Sequence, residues 1–78
     1  MNFKDKYTKA FTELFEIKED QVNNLKYQSV PAWDSIGHMG LISRLESDFN
    51  VSFDPDDIVD LSSFEKGKEI LMKYNIKI

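Results

Sequence analysis

The 78-residue chain has room for one small domain, residues 1–78, and no second. Ten basic against fourteen acidic side chains leave a net charge of −4, which argues against nucleic acid or an anionic membrane as partner, because phosphate rewards clustered Lys and Arg. With no cysteine, a disulfide framework, a zinc knuckle and a thiol nucleophile encoded by the chain are excluded.

A hydrophobic content of 41% and an aromatic content of 13% belong to a folded chain, not a disordered one. A domain this small buries roughly 60–65% of its unfolded surface, so a thick-walled catalytic cleft is hard to build. Met1-Asn2-Phe3-Lys4-Asp5 lacks the apolar segment of a leader. No run approaches the roughly 18 apolar residues of a membrane span. The expectation is a cytoplasmic, monomeric helical module.

Phe3, Tyr7, Ala10, Phe11, Leu14 and Phe15 recur at steps of three and four, which predicts a first helix, and Asn2 with Asp5 suits its start. Residues 16–33 lack that period. Asn23-Asn24, Ser29 and Pro31 predict a long loop, pinned to the core by Val22, Leu25, Tyr27 and Val30. Loops of this length are more often functional than idle.

A second helix is predicted from Asp34 or Ser35 to Phe49-Asn50, with Asp34 as its N-cap. Val51 to Phe53 reads as an extended link. Asp54-Pro55-Asp56-Asp57 opens a short third helix with Ile58, Val59 and Leu61. Ser62-Ser63-Phe64-Glu65 has the pattern of a capping box before a fourth helix through Phe64, Ile70, Leu71 and Tyr74, ended by Asn75. Gly67 inside that helix costs about 1 kcal/mol against alanine and signals close packing. The fold class is a small all-α four-helix bundle.

On a wheel of about 100° per residue, Leu41, Ile42, Leu45 and Phe49 share one sector of the second helix, with His38 inside it. Ile36 and Met39 fall outside, beside Ser35, Gly40, Ser43 and Glu46. Single exposed apolar residues are common on folded proteins, and the long loop could cover these two. The functional reading is a docking patch around Ser35. Charge concentrates in the same region: residues 34–60 hold seven carboxylates against Arg44 alone, a net charge of −6. Such a field is partly a solvated face with helix-start acids, and it also steers basic partners.

Three chemistries compete for these residues. A Ser35–His38 nucleophile–base pair lacks the strained strand-to-helix elbow and oxyanion hole of serine hydrolases, and the wheel turns His38 inward. Asp54, Asp56, Asp57 and Asp60 lack the glycine and closing glutamate of a calcium loop. The third use of Ser35 is as an attachment point, because free N–H groups and the positive dipole end at a helix start favour a covalently held anion.

Trp33-Asp34-Ser35-Ile36-Gly37-His38-Met39, followed by Leu41-Ile42, Leu45-Glu46 and Phe49, resembles the acyl/peptidyl carrier protein family, whose signature is Asp-Ser-(Leu or Ile) at the start of the second helix. The resemblance extends over nearly the whole chain, through the long loop, the Phe49–Phe53 exit and the short acidic third helix. It implies a non-enzymatic four-helix carrier in which Ser35 receives 4'-phosphopantetheine from coenzyme A through a Mg2+-dependent phosphopantetheinyl transferase. Asp34 matches the adjacent acid, which lies near the metal during transfer. Ile36, Met39, Glu46, Asp56 and Asp57 match partner-facing positions for acyl-loading and acyl-processing enzymes with basic docking patches. Ala32-Trp33 before the motif, Gly37 and Gly40 at often acidic positions, and His38 and Arg44 depart from fatty-acid-synthesis carriers. They point to a free-standing carrier of a specialised polyketide, nonribosomal-peptide or similar route. An unmodified interaction module of the same fold is the alternative.

Overall fold

In the computed structural model, which describes residues 2–78, helices α1 (Phe3–Phe15), α2 (Ser35–Phe49), α3 (Pro55–Asp60) and α4 (Phe64–Lys73) follow one another, with a 3-10 turn over Glu19–Gln21. No strand occurs among the described residues. The expected all-α bundle of three longer helices and one short one is the observed fold. Among the described residues, no helix is long and apolar enough to cross a membrane.

The helix ends follow local chemistry. Asn2 Oδ1 accepts from the Asp5 N–H at 2.8 Å, and Glu16 closes α1 in the left-handed region. Asn50 does the same for α2. Pro55 opens α3, where its missing N–H costs nothing. The capping pattern at α4 shifts by one residue: Ser63, not Ser62, is the N-cap, and its hydroxyl accepts from the Lys66 N–H at 2.9 Å. Glu65 therefore lies in the first turn as a favourable acid and closes no box.

The core is aromatic. Trp33, fully buried, stacks on Phe15 at 5.2 Å and meets Phe11 edge-on at 5.6 Å. Tyr7 and Phe11 each lie 4.9 Å from Phe64. The Tyr7 hydroxyl donates to the Phe64 carbonyl at 2.6 Å, which satisfies a buried phenol, and burial pushes its pKa up. Gly67 sits opposite that hydroxyl, and a Cβ there would collide with it. The helix penalty of Gly67 is thus the condition for α4 to approach α1.

The long loop is held by its own turns and by one bridge. Val22 and Leu25 are buried, as expected. Tyr27 is not; it stays exposed and offers ring edges to Trp33 and His38. The Tyr27 N–H donates to the Ser62 carbonyl and the Phe64 N–H to the Leu25 carbonyl, so the loop pairs with the α3–α4 link. Five of the six phenylalanines are buried, and Phe3 meets Phe49 at the rim.

Candidate functional site at the start of α2

Ser35 is the first residue of α2, and it is exposed. Asp34 shapes the turn before it: Oδ1 accepts from the Gly37 N–H at 2.8 Å, and its carbonyl accepts from the His38 N–H at 2.7 Å. The N–H groups of Ser35 and Ile36 have no acceptor within the helix, as at every helix start. Gly37 is required by the approach of the loop, because a Cβ there would run into the Ala32 carbonyl oxygen. A larger residue would push the loop off the first turn and move Ser35 with it.

Around Ser35 the surface is apolar. Ile36 is 82% exposed and Met39 51% exposed, both on the outer side that the wheel assigned to them. On α3, Val59 is a further exposed apolar side chain, at 79%, and it lines a pocket with Tyr27 and His38. The sequence reading missed it. Its signal was present: Ile58 and Leu61 share a face, and Val59 lies about 100° off that face.

His38 turns inward and is half-buried. The Trp33 Nε1–H donates to His38 Nδ1 at 3.0 Å, and Nε2 lies 2.7 Å from the Ile58 carbonyl oxygen. The pair of contacts defines the tautomer: Nδ1 accepts, so Nε2 carries the proton and donates. Both nitrogens are used, and no hydrogen bond joins His38 to Ser35. The nucleophile–base pair is not assembled.

Two acids expected at the partner surface have other roles. Asp57 is only 3% exposed. Its carboxylate accepts from Lys73 Nζ at 2.5 Å and from the Tyr74 hydroxyl at 2.6 Å, and these bonds hold its pKa below the ordinary carboxylate range. Tyr74 in turn accepts from the Asp54 N–H at 3.1 Å. Asp57 therefore ties α3 to the end of α4 and is withdrawn from any docking surface. Glu46 is half-buried, and its carboxylate accepts from the Phe53 N–H at 2.9 Å, which anchors the link after α2.

Asp48 pairs with Arg44, which also reaches Glu13 at 2.8 Å. Among the described residues, Asp34, Asp54, Asp56 and Asp60 are exposed and form no ion pair. They supply the acidic field that remains outside. No three His, Cys, Asp or Glu side chains among the described residues gather as metal ligands.

The fold and site define a small all-α bundle that presents one exposed serine at a helix start, beside apolar and acidic side chains. No protein-family model, curated protein or solved structure matches the chain.

Proposed function

We propose that the protein is a carrier in which Ser35 bears 4'-phosphopantetheine and delivers acyl or aminoacyl groups to partner enzymes. The observation that carries this reading is the exposed Ser35 at the start of α2, with Ile36 and Met39 also exposed on the same helix. These apolar side chains contribute little to the fold, and a docking role explains them. The residues fit the group: the serine hydroxyl is accessible, and the helix start favours the negative charge of a phosphodiester.

Attachment joins Ser35 Oγ to the pantetheine-side phosphorus of coenzyme A and breaks the diphosphate bond. Adenosine 3',5'-bisphosphate leaves, and the hydroxyl proton passes to the transferase. When bound, the group supplies a thiol that holds cargo as a thioester. Asp34 orients the first turn and stands beside Ser35 for the Mg2+ that the transferase brings. Exposed Asp34, Asp56 and Asp60 suit partners with basic patches. The chain itself needs no catalytic residue for this role, which suits a cytoplasmic carrier of a specialised biosynthetic route.

The test is incubation of the protein with coenzyme A, Mg2+ and a broad-specificity phosphopantetheinyl transferase, read by intact mass. The expected result is a gain of one phosphopantetheine in wild type and none in Ser35→Ala. A folded wild-type protein that gains nothing overturns the reading and leaves an unmodified interaction module.

A further inference from the structure

A chain tethered at Ser35 can lie in solvent or slip between the helices, and every methylene favours burial where there is room. His38 lies one turn further along α2 from Ser35. Its imidazole spans from Trp33, in the loop ahead of α2, to the Ile58 carbonyl on α3. The acceptor is a carbonyl in the last turn of a six-residue helix, which lacks a partner within α3 itself. His38 therefore caps α3 while satisfying the buried Trp33 indole.

Behind this bridge lies the aromatic core. The Trp33 ring is nearly parallel to His38, at 13°, and stacks on Phe15 on its way into the core. In front of it remains a half-open pocket of about 240 Å³, lined by Tyr27, His38, Val59, Leu61 and Ser62. Pockets that bury a whole small ligand hold about 300–1,000 Å³. A longer chain would have to break both hydrogen bonds and leave the Trp33 N–H and the Ile58 carbonyl without partners.

We infer, resting on the reading of Ser35 as the attachment point, that His38 is the specificity-determining residue that bars the gap between α2 and α3, so that the carrier holds short or polar groups in the open and does not sequester a long alkyl chain.

The experiment loads the protein with acetyl-, hexanoyl- and decanoyl-phosphopantetheine from the matching coenzyme A thioesters. Intact mass is read first, then melting temperature and thioester cleavage by hydroxylamine. Wild type is expected to melt at one temperature across the series. Its cleavage should stay within about twofold of the free acyl-pantetheine, because an exposed thioester needs no opening step before attack. In His38→Ala the gap is unbarred, so the decanoyl form should melt above the acetyl form and cleave more slowly. His38→Ser serves as a second opened variant should the alanine protein fail to fold.

A wild-type melting temperature that climbs with chain length, with cleavage slowed in step, overturns the inference while leaving the carrier reading intact. A folded, opened variant with no length dependence overturns the assignment to His38. No mass gain in any arm removes both readings together.

Discussion

Leu41, Ile42, Leu45 and Phe49 on one face of α2 are buried against the rest of the bundle, whereas Ile36 and Met39 on the other face lie open beside Ser35. Both sets are apolar, and both belong to one continuous helix. Burial accounts for the first set, because removing such side chains from water stabilises the domain by about 1.5–3 kcal/mol each. No such gain accounts for the second. In the proposed carrier role, those exposed side chains are where a partner enzyme docks. The contrast between the faces is thus one of burial, which the proposed function reads as a division between folding and docking, and substitutions can break it from either side.

The largest loss is expected on the inner side, at Trp33→Ala. This variant removes a fully buried ring stacked on Phe15 and deprives His38 Nδ1 of its donor. Chemical denaturation should show a loss of about 3–5 kcal/mol, a large share of the ~5–15 kcal/mol that holds a typical domain. Leu45→Ala, also fully buried, should cost about 2–5 kcal/mol by the same measurement. A cost below about 1 kcal/mol at either position would mean that the inner face is not the core described here.

Acid comes next. The Lys73 and Tyr74 bonds hold the Asp57 carboxyl below its ordinary range. Their stabilisation is therefore complete above that range and is lost as pH falls through the lowered native value. The melting temperature should drop as pH falls below about 4, and Asp57→Asn should flatten that slope. Parallel slopes for the two proteins would show that Asp57 is not part of the α3–α4 tie.

Glu46 and Met39 sharpen the comparison at its boundary. Glu46→Lys removes the bond to the Phe53 N–H and should cost about 1 kcal/mol, although Glu46 lies off the main core sector. Met39→Asp, half-exposed, should change stability by no more than about 0.5 kcal/mol and yet slow modification or loading of Ser35. A cost for Met39→Asp as large as that for Leu45→Ala would erase the difference between the two faces.

Helix starts were legible in the sequence because their causes are local. Asn2, Asp34 and Asp54-Pro55 act within three or four residues, and each starts the helix expected of it. Ser62 and Ser63 are both competent caps, so the sequence leaves a choice of one residue that packing makes in favour of Ser63. The exposed positions of Ser35, Ile36 and Met39 were legible for a similar reason, since helical period alone sets the face.

What stayed hidden depends on distant partners. Asp57 looks like a solvated helix-start acid until α4 brings Lys73 and Tyr74 beside it. Gly37 looks like a weak spot in a helix until the loop returns Ala32 to the same place. His38 was expected inside, but nothing local could show that it joins Trp33 to α3. Val59 was legible in principle, because helical period sets it off the face shared by Ile58 and Leu61.

The most direct test of the division between the faces is the intact mass of the protein purified from its own cells, beside Ser35→Ala expressed in the same way. Wild type is expected to carry one phosphopantetheine, with or without a thioester-bound group, and the variant to carry none while melting at nearly the same temperature. Wild type recovered at its bare chain mass, or a modification that persists without Ser35, would contradict it.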